Sequence, residues 1–190
     1  MAAASNKPYI HPQALVETRA VGPGTRVWAF AHVMKGAVIG RDCNIGDHSF
    51  IESGVTVGDR VTVKNGVSVW NGVTLENGVF VGPNAAFTND RFPVSRHNVF
   101  KLEPTRVREG AAIGANATVV CGVTVGRHAM VGAGAVVTRD VPDHALVYGN
   151  PAKSAGFLCV CRKKLTFKSA AARCACGLRY RKTLKGVCAA

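Results

Sequence analysis

Acidic residues are scarce in this chain. Its 190 residues hold 11 Asp and Glu against 24 Lys and Arg, a formal charge of +13. From Pro151 onward there are ten Lys or Arg and no acid at all, so one end-piece supplies most of the excess. Two readings fit that end-piece. It is either a solvated basic cap that packs Phe157, Leu158, Leu165, Phe167 and Tyr180 against the rest, or an attractor for a polyanion such as a nucleotide or coenzyme. Long apolar runs are also missing. None approaches the roughly 20 residues of a membrane span, and Met1–Lys7 carries no apolar signal core, so a cytoplasmic protein is expected. Aromatics make up 7% and do not recur at regular intervals, which argues against stacking on nucleic acid. The histidines, His11, His32, His48, His97, His128 and His144, are scattered without a close pair. A catalytic metal held by three of them is therefore not expected.

What the chain does have is a period of six. Leu15, Val21, Val27, Val33, Ile39, Ile45, Ile51, Val57, Val63, Val69, Leu75, Val81 and Phe87 stand six apart, and the register resumes at Val107, Ile113, Val119, Val125, Val131 and Val137. Fixed-period self-similarity marks a solenoid. A helix would place its apolar residues at intervals of three and four, and a single strand would alternate and stop. Each hexad therefore reads as one short strand plus a corner, three of them closing a triangular coil. Cys43, Ser49, Val55 and Val61, four after their anchors, are small or β-branched and suit a tight corner. Gly40, Gly46, Gly58 and Gly82, together with Asn65-Gly66, Asn71-Gly72 and Asn77-Gly78, supply the turn residues. Stacked coils predict an all-β parallel β-helix, whose handedness the spacing leaves open.

Between Phe87 and Val107 the hexad fails, and a stretch rich in polar, aromatic and Pro residues reads as a loop, 88–106, extruded from a corner. Loops on a rigid scaffold are favoured places for binding chemistry.

Runs such as Ile39-Gly40-Arg41-Asp42-Cys43-Asn44 and Ile113-Gly114-Ala115-Asn116-Ala117-Thr118 resemble the hexapeptide-repeat acyltransferases. The resemblance implies a left-handed β-helix and a homotrimer with sites at subunit junctions. Three further stretches narrow it: Trp28-Ala29-Phe30-Ala31-His32-Val33, the block from Val79 through Gly82-Pro83-Asn84 to Phe87-Thr88-Asn89-Asp90, and Gly149-Asn150-Pro151-Ala152-Lys153. Together they are similar to the nucleotide-sugar 3-N-acetyltransferases of bacterial surface-polysaccharide (lipopolysaccharide O-antigen) assembly, nearest to those acting on UDP-2-acetamido-3-amino-2,3-dideoxyglucuronate. Acetyl-CoA is the implied cosubstrate. Acetyltransfer to another nucleotide-linked 3- or 4-amino sugar, and a non-catalytic nucleic-acid-binding protein, are the alternatives. In this chain Pro93 is followed by Val94 where the family often has Arg, leaving Arg91 or Arg96 to take over that role.

Asn84 is the expected catalytic residue. It stands just before the loop, and its neutral amide can accept from and donate to an amine without acting as a strong base. The resemblance implies that the departing coenzyme A sulfur takes the proton, with Asp90 and His97 as alternative bases. His32, Lys64, Asn65, Phe87, Asn89, Asp90 and Arg91 are expected to contact the nucleotide sugar, and Lys64, Arg91 or Arg96 would meet a glucuronate carboxylate. Coenzyme A is expected along Gly114, Ala115, Gly132 and Ala133, ending near Asn150, Pro151 and Lys153. Corner packing alone also accounts for the small residues among these.

The coils are expected to end near Asp143, where an apolar anchor is due, and Tyr148–Lys153 reads as an exit turn. This gives a catalytic β-helix over 8–150 and a small cysteine-bearing appendage over 151–190. Cys43 and Cys121 fall at coil positions and read as buried thiols. Cys159-Val160-Cys161 and Cys174-Ala175-Cys176 are spaced Cys-x-Cys rather than Cys-x-x-Cys. They read as free thiols on a small β-hairpin, with tetrahedral zinc as the alternative, and no metal is assigned.

Overall fold

A computed structural model describes residues 7–96, 101–184 and 186–190. Among them there is no helix, so none is long and apolar enough to cross a membrane. The hexads form two- and three-residue strands on three faces of a prism. The first face carries nine strands, from Tyr9–Ile10 through Phe80–Val81 and Met130–Val131 to Ala145–Tyr148 and Lys153–Phe157. The second carries seven, from Leu15–Val16 to Val136–Val137, and the third five, from Val38–Ile39 to Thr124–Val125. All pair in parallel except the last strand of the first face.

Register follows the arithmetic of the sequence. Val27 pairs with Ile45 and Ile45 with Val63, a step of eighteen residues per coil. Across the loop Val81 pairs with Ile113 and Phe87 with Val119. The anchors from Val27 onward form a core one side chain wide, with Val27, Val33, Ile45, Ile51, Val63 and Val69 fully buried. Burying each such side chain is worth about 1.5–3 kcal/mol, so stability accumulates coil by coil. Leu15 is the exception at 55% exposed: the first step is seventeen residues, so Leu15 pairs with His32 and points outward, while Val16 pairs with Val33 and packs against the core.

The small residues at corners are buried and satisfied. The Thr25 hydroxyl donates to Gly40 O at 2.7 Å and accepts from Cys43 N at 3.0 Å, and Ser49 Oγ donates to Lys64 O at 3.2 Å. Cys43 and Cys121 are buried, as their positions predict. Between the third and first faces a side-chain ladder runs up the outside. Arg41 N donates to Asp59 Oδ1, Asp59 N to Asn77 Oδ1, and Arg127 N to Asp143 Oδ1, at 3.0, 2.8 and 2.7 Å.

That ladder corrects one expectation. The solenoid does not end at Asp143, whose carboxylate is a rung of the ladder and also accepts from Arg108 Nη1 at 3.3 Å. Val141 bridges Val125 and Val147 pairs with Val131, so the final coil is two residues shorter and its anchors move forward by two. The exit strand Lys153–Phe157 then turns back antiparallel onto Ala145–Tyr148, and the Asn150–Pro151 peptide between them is cis.

Beyond it, Ala171–Arg173, Arg179–Thr183 and Gly186–Ala189 make a separate three-stranded antiparallel sheet rather than one hairpin. This module docks on the corner between the third and first faces: Val187 N donates to Asp143 O, and Leu158 N to His144 O.

Candidate functional site

The corner between the first and second faces repeats as a column of left-handed residues: Phe30, His48, Gly66, Asn84, Asn116 and Gly134, with φ between 54° and 68° except Gly66 at 71°. Asn and Gly tolerate this conformation best. Asn84 is exposed, and its backbone N donates to Asn65 O at 3.1 Å. Its carboxamide oxygen fills the space that a side chain at Gly66 would need. The amide is thereby aimed down the column and framed by exposed Lys64 and Asn65 of the coil beneath. His48 lies two coils below Asn84, about 10 Å along the axis. It stacks on Phe30 at 5.0 Å and is exposed. The sequence reading passed over it, although its distance of 36 residues from Asn84, twice the coil length, was the available signal.

Other expected contacts divide. His32 is on the second face three coils below Asn84, about 14 Å along the axis. Its Nε2 is buried without a hydrogen bond, 3.6 Å from Glu17 Oε2. Phe87 cannot serve as a contact surface: it is 3% exposed, an anchor of the core beneath the loop. Asn89 and Asp90 are part-exposed at the loop's start, where Asp90 Oδ1 accepts from Phe92 N at 2.9 Å. His97 lies outside the described residues.

The loop begins after Phe87 and ends where the strand Thr105–Val107 starts, two residues earlier than expected. Glu103, which the sequence reading missed, holds its base. Arg91 donates to Glu103 Oε2 through Nε and Nη2 at 3.1 and 2.9 Å, and to Cys121 O at 2.8 Å. The guanidinium holds the Glu103 carboxyl below its ordinary range. Both side chains pack over Gly122, whose missing Cβ leaves them room. Arg91 is thus engaged in shaping the loop. Arg91→Ala and Glu103→Ala should each raise the KM of any substrate the loop contacts, with little change in Tm, and the double variant should be no worse than either alone. Additive losses in steady-state kinetics would give Arg91 a separate contact. Because the Glu103 pKa is depressed, this clamp is complete above the carboxyl's ordinary 4.5 and loosens only as pH falls below it.

Gly114 and Gly132 lie on the same corner as Asn84. A Cβ on Gly114 would stand 2.5 Å from Ala133 N, and one on Gly132 would stand 2.9 Å from Tyr148 Cβ. Coil-on-coil packing therefore requires these two glycines by itself. Ala115 is half-buried, whereas Ala133 and Gly134 are exposed, with open space over Gly134. Asn150, Pro151 and Lys153 are exposed at the same end of the prism. There Lys153 and Arg139 help line a cleft of about 260 Å³.

His128 and His144, expected to be apart, stand side by side at 5.1 Å between ring centroids, because the shortened last coil brings them onto one corner. Burial, then each other's charge and Arg162, push the His128 imidazole below its ordinary pKa. Burial also lowers His144, whose Nδ1 pairs with Leu158 O at 2.9 Å. The pair packs against the docked module rather than facing solvent as a metal site.

Residues 104–139 match the bacterial transferase hexapeptide family (six repeats), and 36–70 match the hexapeptide repeat of succinyl-transferase. Over 181 residues, 95% of this chain and 94% of the relative, the sequence is 51% identical to dTDP-3-amino-3,6-dideoxy-alpha-D-galactopyranose 3-N-acetyltransferase of Aneurinibacillus thermoaerophilus. The chain belongs to the hexapeptide-repeat transferases. The acetyltransferase domain of PglB from Neisseria gonorrhoeae, solved with acetyl coenzyme A, superposes with TM-score 0.52 at 28% identity, over 79% of this transferase and 58% of that chain. A hexapeptide-repeat acetyltransferase of Vibrio cholerae shares the fold at TM-score 0.53 and 22% identity, over 70% of each chain. The stacked parallel coils of this transferase are consistent with the left-handed winding of the hexapeptide repeat.

Proposed function

We propose that this transferase moves acetyl from acetyl-CoA to the 3-amino group of a nucleotide-linked 3-amino-deoxyhexose. A dTDP-linked 3-amino-3,6-dideoxyhexose is the first sugar to test. The reading rests above all on the relative that matches nearly the whole chain, and the Asn84 corner supplies chemistry that fits it.

In the proposed reaction the amine lone pair attacks the thioester carbonyl carbon. The C–N bond forms, the C–S bond breaks with its electron pair passing to sulfur, and the thiolate takes the amine proton. Asn84 accepts one amine N–H and so fixes the direction of attack, and such alignment can remove several kcal/mol of the barrier. No side-chain base is needed, which suits this corner: His48 is about 10 Å away, and Asp90 is engaged with Phe92 N. The extended substrate runs down the column. Its sugar lies at Asn84 beside Asn89 and Asp90, its diphosphate at Lys64 and Asn65, and its nucleoside toward His32. The pantetheine arm lies along Ala115 and Ala133 past Gly114 and Gly132, with its phosphates toward Lys153, Asn150 and Pro151 at the cleft end. A homotrimer, with a neighbouring protomer covering this face, completes the site, and the protein works in the cytoplasm where both substrates are made.

One observation favours a second sugar. Lys64 is an exposed cation one coil below Asn84, and it would suit the carboxylate of UDP-2-acetamido-3-amino-2,3-dideoxyglucuronate. A thiol-release assay with acetyl-CoA against a panel of 3- and 4-amino nucleotide sugars decides. Turnover is expected with a 3-amino sugar, the dTDP-dideoxy sugar preferred over the glucuronate. No release with any 3-amino sugar would overturn the reading.

A further inference from the structure

We infer that Cys159, Cys161, Cys174 and Cys176 form a tetrathiolate zinc site that holds the C-terminal module together and on the solenoid. Their sulfurs lie within 4.8 Å of one another, with Cys159 Sγ to Cys176 Sγ and Cys161 Sγ to Cys174 Sγ each at 3.5 Å. A regular tetrahedron of sulfurs around zinc at about 2.3 Å has edges of about 3.8 Å. A disulfide needs about 2.05 Å.

The two Cys-x-Cys pairs are the same turn built twice. In the first, Arg162 N donates to Cys159 O at 2.8 Å and Cys159 N to Lys163 O at 2.9 Å, with Arg162 at φ 69°. In the second, Gly177 N donates to Cys174 O at 2.9 Å and Cys174 N to Leu178 O at 2.8 Å, with Gly177 at φ 96°. In each, the first cysteine is buried and the second exposed. Two matching turns facing each other present four thiols to one point, and the Cys-x-Cys spacing that spoke against zinc is absorbed by the left-handed residue that follows each pair. Backbone and side-chain donors already surround the sulfurs: Cys161 N points to Cys159 Sγ at 3.5 Å, and the Tyr180 hydroxyl lies 3.1 Å from it. Such outer contacts orient metal ligands.

The module needs such a brace. Its hydrophobic cluster is Cys159, Leu165, Ala172, Cys174, Tyr180 and Val187, so two of these six residues are the ligands themselves. Units below about 40 residues usually require a metal or disulfides to fold. Zinc binding releases the thiol protons and leaves a centre of net double negative charge, which the acid-free, Arg- and Lys-rich tail would compensate. That offers a use for the tail's charge without a polyanion. The first turn also anchors the module: Arg162 donates to Gly110 O at 2.8 Å and to His128 O at 3.4 Å.

Full-length protein purified under reducing, chelator-free conditions should carry about one zinc per chain by elemental analysis. Cobalt exchanged into it should show the visible absorption of tetrahedral thiolate ligation. Cys161→Ser and Cys176→Ser should each lose the metal, Cys188→Ser should keep it, and chelation should open 158–190 to protease while the coils resist. Less than about a tenth of an equivalent of zinc, iron in its place, or two disulfides by non-reducing mass analysis would each overturn the inference. The cobalt spectrum of the unmutated chain decides if a serine variant fails to fold. None of these readouts depends on acetyl transfer.

Discussion

Asn84→Gly is expected to lower kcat by about 10²-fold with Tm unchanged or slightly raised, while the KM for acetyl-CoA stays near wild type. The magnitude is that of removing one well-placed polar contact to the reacting group. Glycine is the sharper choice because Asn84 sits at φ 56°, where a residue with a Cβ costs roughly 1–2 kcal/mol and glycine does not. Asn84→Ala should therefore show the same kinetic loss with a lower Tm, which separates the amide's role from the corner's strain. Its own backbone bond to Asn65 O is unaffected by either change. Stopped-flow or steady-state thiol release, read beside thermal melts, checks both variants. A glycine variant with near-wild-type kcat would leave Asn84 a corner residue like Asn116, which occupies the same conformation one coil above.

Much of the fold was legible because the solenoid writes its geometry into a fixed period. The anchors from Val27 to Val137 bury as their spacing requires, since every coil repeats one local environment. The errors fall where repetition stops. Leu15 keeps the hexad spacing, but the first coil is one residue short, so Val16 takes the inward place opposite Val33. Asp143 looks like a failed anchor because two residues are missing from the last coil, and a polar ladder uses its carboxylate from outside. Phe87 belongs to the motif that carries the resemblance and also to the inward period, and the period wins. The candidate site was half legible. Asn84, Lys64 and Asn65 share a corner because of their spacing, whereas Glu103 reaches Arg91 only through the irregular loop, which no period describes. The cysteine cluster was hidden for a different reason: the spacing within each pair is atypical, and the matched turns that correct it exist only in three dimensions.

Gly82→Ala should destabilise the solenoid by about 2–3 kcal/mol and so on the order of 5–10 °C in Tm for a domain of this size. Its backbone is not in the left-handed region, so the cost is collision alone. A Cβ there would stand 2.6 Å from Ala115 N and 2.8 Å from Gly114 C. Those atoms belong to the next coil, which is itself tied upward by Gly114 N donating to Val131 O at 2.8 Å. Relief would therefore require opening a ladder rather than turning a side chain. Gly134→Ala is the matched contrast: at φ 68° with nothing within 4 Å, it carries backbone strain and no clash. It should cost only about 1 kcal/mol. Melts at one protein concentration, so that assembly contributes equally, should rank Gly82→Ala well below Gly134→Ala. The reverse order would mean that the coils can slide apart at this corner. Close stacking would then no longer explain the glycines at 82, 114 and 132, and their place beside the proposed pantetheine path would have to.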